Sequence, residues 1–312
     1  MPPTPMLDAP ADVTADAPQA TTATAAGCTI LVATDGSRGA DAALRIGTGL
    51  ARRDGAEPQV VSVYQPLPAF DPELSPRLAE VDRALERELA VRVTQQVERI
   101  RLDLAPCCCE IAGGPVAESI AHEAVVRGAE LIVLGTGRHG ALELVTGRET
   151  ALDVIRAASV PVLAVPSAET ALPRRIVVAT DFSASSDSAL RAAVRLVGRR
   201  GVIYLVHVMP RLNRVLAASW EATQRQDACK ALEGLAATLA LPEAVRVERA
   251  VLVGDPAQEL LTFAASVEAN AIATGSHGYT GMARALLGSV STQLLRKAPC
   301  AVLVAPAQRE GC

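Results

Sequence analysis

The residues best equipped for chemistry lie near the C-terminus, in the segment GSHGYTGMARALLGSVS from Gly275 to Ser291. Gly275, Gly278, Gly288 and Ser289 fall in the pattern G-x2-G-x9-G-S, directly after the apolar run Ala271–Thr274. A strand, a glycine loop and a helix start are what a phosphate site needs. Glycines let the backbone come close to a polyphosphate. The free N–H groups of a helix N-terminus then face the anion, with the positive end of the helix dipole behind them. Ser289 and Ser291 add hydroxyls, and His277 inside the loop can approach a phosphate or simply pack. The same glycines would also serve as a tight turn and a helix cap, so the pattern alone leaves both readings open.

A second group of residues follows other apolar runs. Thr180-Asp181 ends the run Arg175–Thr180, where a carboxylate can accept from a ribose hydroxyl or hold Mg²⁺ on a phosphate. Asp181 could equally cap the next helix, a task Ser183 could share. Gly254-Asp255-Pro256 follows another run and suits a strand-to-helix corner with proline in the first helical turn. His207 reads as a strand residue and His122 as a helix residue without a special role. There is no G-x-S-x-G elbow, no H-E-x-x-H and no G-x-G-x-x-G opening a first helix. The only lysines are Lys230 and Lys297, and neither follows glycine, which excludes a Walker A loop. No catalytic set and no protein metal site emerges.

Composition narrows the function further. The 312 residues suffice for two ordinary domains. Half are hydrophobic and 21% charged, which supports cores in a soluble chain. A formal net charge of −4 and 2% aromatic residues argue against nucleic acid or an anionic membrane as partner. No apolar stretch approaches the ~20 residues of a membrane helix. Residues 1–27 lack Lys, Arg and an apolar core, and read as a disordered tail rather than a signal or transit peptide. Seven cysteines form no paired framework, which fits a reducing cytoplasm. Cys107-Cys108-Cys109 would alternate faces of a strand and so cannot grip one metal from one side; small buried hydrophobes is the reading.

These residues must be positioned by a fold, and the chain repeats its own plan at roughly domain length. TILVATDGS (29–37) matches RIVVATDFS (175–183), and EIAGGPVAESI (110–120) matches VLVGDPAQELL (251–261). AELIVLGTGRHG (129–140) matches NAIATGSHG (270–278), and SVPVLAVP (159–166) matches PCAVLVAP (299–306). The first copy spans 28–166, a linker 167–173, and the second copy 174–308. Apolar runs predict strands at 29–34, 58–64, 108–112, 130–135 and 161–165, then at 175–180, 202–208, 247–253, 271–274 and 300–304. They are continuous rather than alternating, as in parallel strands covered on both faces. Leu78, Val81, Leu85, Leu89, Val93, Val97 and Ile100 form the apolar stripe of a long helix. The prediction is α/β: two Rossmann-like, doubly wound domains, each with a five-stranded parallel sheet. The motif residues all follow strands and converge on the edge where such sheets bind ligands.

The glycine loop, RRIVVATDFS and VLVGDPAQEL together resemble the universal stress protein family, over nearly all of the chain after about residue 28. The resemblance implies ATP, with Mg²⁺, held in the second domain. Its site residues there would be Ala179, Thr180, Asp181, Val208, Gly254, Gly275, His277, Gly278, Gly288, Ser289, Val290 and Ser291, with adenine against the main chain at His207-Val208. It also implies pairing through the last strands, here an intrachain pseudo-dimer across Val162–Val165 and Ala301–Val304. Pairing of whole chains and an unidentified protein partner stay open. The first copy departs from the pattern. Read from Gly137-Arg138-His139-Gly140, its x9 spacer shrinks to x6, Gly-Ser becomes Gly147-Arg148-Glu149, and Glu149 would bring negative charge to the phosphates. A degenerate first site is expected. A stress-associated regulatory protein fits better than turnover, with slow ATP hydrolysis, self-phosphorylation at Ser289 or Ser291, and a non-binding interaction protein as alternatives.

Overall fold

A computed structural model describes residues 29–67, 75–104, 108–137, 147–211, 217–277 and 287–307. The N-terminal tail and Gly278 lie outside them. The first repeat contains β1 (Ile30–Ala33), α1 (Asp41–Arg53), β2 (Gln59–Tyr64), α2 (Ser75–Arg99), β3 (Cys109–Gly113), α3 (Val116–Val126), β4 (Leu131–Gly135), α4 (Gly147–Ala157) and β5 (Val162–Val165). The second contains β6 (Arg175–Ala179), α5 (Ala184–Val197), β7 (Arg200–Met209), α6 (Ala217–Ala237), β8 (Ala244–Val253), α7 (Pro256–Ser266), β9 (Ala271–Gly275), α8 (Ser289–Lys297) and β10 (Ala301–Ala305). Every strand falls on an apolar run.

Within each repeat the strands are parallel, ordered β3-β2-β1-β4-β5 and β8-β7-β6-β9-β10. Order reverses between β1 and β4, and between β6 and β9, which opens a crevice at each carboxyl edge. The last strands pair antiparallel, Leu303 opposite Leu163, so the two sheets join into one of ten strands. Successive strand residues feed opposite cores, as the two-residue period requires. Ile30 and Val32 belong to the core that α1, α2, α5 and α6 cover, while Leu31 and Ala33 belong to the core that α3, α4, α7 and α8 cover.

The repeats also meet through helices. Arg53 at the end of α1 donates to Leu196 O (2.6 Å) and Arg195 O (3.0 Å) at the end of α5. Arg296 of α8 faces Glu149 of α4 at 3.5 Å. Glu149 thus meets the second repeat at the junction between the two.

The stripe of α2 is only partly covered. Leu89, Val93 and Ile100 are buried, but Val81 is 42% exposed. On the same helix sits a residue that periodicity does not flag. Gln96 is fully buried, accepts from Thr34 Oγ1 (2.7 Å), and donates to Asp41 Oδ1 (3.0 Å) and Ser37 O (3.1 Å). It ties α2 to the β1–α1 turn, with Arg99 donating to Asp41 alongside.

Candidate functional site

The crevice of the second repeat begins where β6 ends. Thr180 N donates to Val206 O (2.9 Å), so Val206 turns its main chain towards β6. By the strand period Val208 turns the same way, but β6 pairs only as far as Ala179 opposite Val206. The N–H and C=O of Val208 therefore face the crevice past the end of their neighbour. Beyond Thr180 the chain makes a tight turn. Asp181 Oδ1 accepts from Ser183 N (3.1 Å) and Ser183 Oγ (2.6 Å), and Ser183 caps α5 by accepting from Ser186 N (3.3 Å). Ser183 is thus the cap, and Asp181 holds it.

The turn carries strain. Phe182 has φ of 63°, a left-handed conformation that a bulky side chain rarely adopts. Gly36 occupies the same place in the first repeat with φ of 77°. Phe182 is held by its ring, which packs against His207 with centroids 4.8 Å apart. His207 Nδ1 bonds Thr180 O at 2.8 Å. A carbonyl oxygen only accepts, so Nδ1 carries the proton. Ser62 plays this part in the first repeat, donating to Thr34 O at 2.5 Å.

The opposite wall is the β9–α8 connection. Gly275 ends β9 against α5, where a Cβ would come 2.4 Å from Ser185 Oγ. Its glycine identity is therefore a demand of packing. Ser291 Oγ donates to Gly275 O at 2.7 Å, so this buried hydroxyl proton serves the fold and offers a ligand only lone pairs. Ser289 is exposed. Gly288 precedes α8 without a side-chain cap, and the first intrahelical bond is Thr292 N to Gly288 O at 3.0 Å. The N–H groups of Ser289, Val290 and Ser291 thus form the uncapped first turn. His277 Nδ1 lies 2.9 Å from Ser276 Oγ, while its Nε2 is buried without a hydrogen-bond partner among the described residues.

These walls enclose a cleft of about 290 Å³. Of the twelve residues expected at the site, ten line it: Ala179, Thr180, Asp181, Val208, Gly275, His277, Gly288, Ser289, Val290 and Ser291. Gly278 lies outside the described residues. Gly254 stands apart from the lining; its N–H bonds Met209 O (3.0 Å), its φ is 156°, and a Cβ would meet Glu259 Oε1 at 2.4 Å. It makes the corner into α7, where Asp255 caps by accepting from Gln258 N (3.0 Å) and Pro256 opens the helix. His207, expected beside the adenine, and Pro256 of the Gly254-Asp255-Pro256 turn also line the cleft, whereas Ser186, Val206, Leu260 and Thr274 do so without having been singled out. Leu260 lies one helical turn beyond Pro256, a spacing that could have marked it. Asp181 is the only Asp or Glu among the described lining residues, and no Arg or Lys is among them.

The first repeat differs in a way that its glycines conceal. Gly135 ends β4 opposite Val165, as Gly275 ends β9 opposite Ala305. Thr136 N donates to Val165 O (2.9 Å), as Ser276 N does to Ala305 O (2.8 Å). Strand register therefore equates Gly135 with Gly275 and Gly137 with His277, rather than Gly137 with Gly275. Measured from Gly135 to Gly147, the connection is one residue shorter than from Gly275 to Gly288, and not three. Among the described residues of the first repeat, Gly137 stands where His277 does and Gly147-Arg148 where Gly288-Ser289 does.

The fold and site together define a tandem of two doubly wound α/β units with an uncapped helix N-terminus at the second crevice. A model of the universal stress protein family matches residues 29–166 and again 173–306. A universal stress protein of Mycolicibacterium smegmatis is 30% identical over 290 residues, covering 88% of this chain and 96% of that protein. Another, from Methanocaldococcus jannaschii, is 32% identical over 143 residues, covering 43% of this chain and 82% of its own length. The crystal structure of a universal stress protein from Archaeoglobus fulgidus superposes with a TM-score of 0.61 at 21% identity, over 89% of this chain and 98% of that one, a likeness of fold. The chain belongs to the universal stress protein family, in its two-domain form.

Proposed function

We propose that the chain is a stress-associated regulatory protein that binds ATP, with Mg²⁺, in the second crevice and not in the first. The observation that carries this reading is the conjunction, in one cleft, of an uncapped helix N-terminus and the unpaired main chain of Val208. The first suits phosphate oxygens. The second presents a donor beside an acceptor, which matches the N1 acceptor and N6 amine on one edge of adenine. Asp181 would accept from a ribose hydroxyl. The orphaned Nε2 of His277 supports a polar ligand, because buried polar atoms are rarely left without partners.

Mg²⁺ would arrive with the nucleotide. Among the described residues no group of three or more His, Cys, Asp or Glu is placed to hold a metal. A divalent ion on the phosphates would offset their charge in a cleft whose described lining has no Arg or Lys. Regulation is favoured over turnover, since Asp181 Oδ1 is committed to its turn and the Ser291 hydroxyl to Gly275. Among the described residues no helix is long and apolar enough to cross a membrane. Free thiols at Cys229 and Cys300 support a reducing cytoplasm as the compartment.

The test is competition between ATP and GTP for the stripped protein. Guanine presents a carbonyl and a protonated N1 where adenine presents an amine and an acceptor. ATP should bind at least about tenfold tighter, the worth of one mismatched hydrogen-bond pair. Equal affinities would remove Val208 from the base site.

A further inference from the structure

His277 occupies a position with no equivalent in the first repeat, where Gly137 stands in register. Its main-chain N–H approaches Ser185 Oγ at 3.4 Å, which holds the residue against α5. Its ring contacts are unequal: Nδ1 has Ser276 Oγ at 2.9 Å, and Nε2 is buried with no partner among the described residues. A serine hydroxyl is a rotor. It can donate to a bare Nδ1 or accept from a protonated one, so the ring keeps this bond in either charge state. Only Nε2 would then register the arrival of a ligand.

The surrounding charges leave this ring a distinct task. The other titratable side chains lining the cleft are Asp181 on the β6–α5 turn and His207 on β7, whose Nδ1 is engaged by Thr180 O. From α8, Ser289, Val290 and Ser291 bring no titratable side chain, and neither do Ser185 of α5 and Pro306 after β10. His277 also borders a recess between the repeats whose described lining carries Arg53, Arg156, Arg191 and Arg195, the carboxylates Asp54, Glu118 and Glu130, and His122. An incoming polyphosphate therefore meets the main-chain N–H groups of α8 and one imidazole, with no fixed cation among the described lining residues. A multiply charged anion against an imidazole favours the protonated ring.

We infer that His277 meets the phosphate chain as an imidazolium, its Nε2–H donating to an anionic oxygen, so that nucleotide binding takes up a proton. The inference rests on the proposed ATP site and adds its regulation by pH. The sign follows directly. The protonated ring binds better, so affinity rises as pH falls, by up to about tenfold per pH unit for one linked proton.

Calorimetry of ATP–Mg²⁺ binding in two buffers of different ionisation enthalpy, at several values between about pH 6 and pH 8, reads the uptake directly. The comparison is His277→Gln, which keeps an N–H donor but does not titrate. The nucleotide's own terminal phosphate, with a second pKa of about 6, contributes equally to both proteins and cancels. The wild type should take up a fraction of a proton and gain affinity towards low pH, whereas the variant binds with no uptake of its own. Binding without uptake in the wild type, or equal uptake in both, would overturn the inference and leave the ATP site standing. If neither protein binds while both melt cooperatively, the ATP reading fails and the proton linkage with it.

Discussion

Substituting Gly288 by Asp separates the fold from the site, because the two should respond in opposite senses. Gly288 has φ of −58° and ψ of 149°, an extended conformation that any residue adopts and that N-cap residues favour. An aspartate there can accept from the first-turn N–H groups and oppose the helix dipole. Together these stabilise α8 by a few tenths to about 1 kcal/mol. The new Cβ would lie 3.3 Å from Ser276 O, tight enough to offset part of that gain. The melting temperature should therefore stay within about 2–4 °C of wild type. For a phosphate the same change removes N–H donors and adds a like charge at roughly 4 Å. That repulsion is about 4 kcal/mol at an effective dielectric of 20. Discounted for Mg²⁺ and solvent to about 3 kcal/mol, it still predicts a loss of roughly 100-fold or more in ATP affinity. Gly288→Ala adds the same Cβ without charge or cap, and should lose less than about tenfold. Equilibrium titration alongside thermal melting reads both quantities. An Asp variant that binds ATP–Mg²⁺ within about threefold of wild type would refute the placement of phosphate at α8.

Other expectations follow from the packing. Gln96→Ala leaves Thr34 and Asp41 short of partners in a buried site and should destabilise the chain by about 2–4 kcal/mol, read by denaturant unfolding, while ATP affinity stays unchanged. Gly201→Ala places a Cβ 2.3 Å from Arg174 O at φ of 154°; a cost of about 3 kcal/mol is expected, and a loss below about 0.5 kcal/mol would contradict that geometry. Burial, with a smaller contribution from Glu169, pushes the Cys300 thiol up to about 11, so it stays protonated at neutral pH. Alkylation mapped by mass spectrometry should therefore modify exposed Cys229 in the native protein and reach Cys300 only on unfolding. Equal labelling rates for the two would show the last strand to be accessible.

The architecture was legible because both faces of the sheet are covered, and covered strands read as unbroken apolar runs. Strands β7 and β8 reach further back, to Arg200 and Ala244, than those runs suggested. There the sequence turns polar, and pairing between the two strands rather than burial extends them. The stripe of α2 was read to its full length, yet periodicity says which face is apolar and not where the sheet ends beneath it. Gln96 interrupts no apolar pattern and so gave no sign of its three hydrogen bonds.

The site was legible in its strand-following motifs and obscured at two points. In the first repeat the likeness of GRHG to GSHG conceals the register, and the strand pairing with the hydrogen bonds of Thr136 and Ser276 makes Gly135 the counterpart of Gly275. In the second, Gly254 shares the motif but serves the corner into α7, since proximity in sequence to Pro256 does not put both in the cleft. Ser186 and Leu260 come from helix turns whose approach to the crevice depends on tertiary packing.

The central claim, a single nucleotide site built by the second repeat, is tested most directly by its stoichiometry. The full chain, stripped of any bound nucleotide, is titrated with ATP–Mg²⁺ in a calorimeter. One ATP per chain, abolished by Gly288→Asp, is the predicted result. Two sites per chain would show that the first crevice binds without His277 or the Gly-Ser pair, and no binding by a well-folded chain would contradict the account outright.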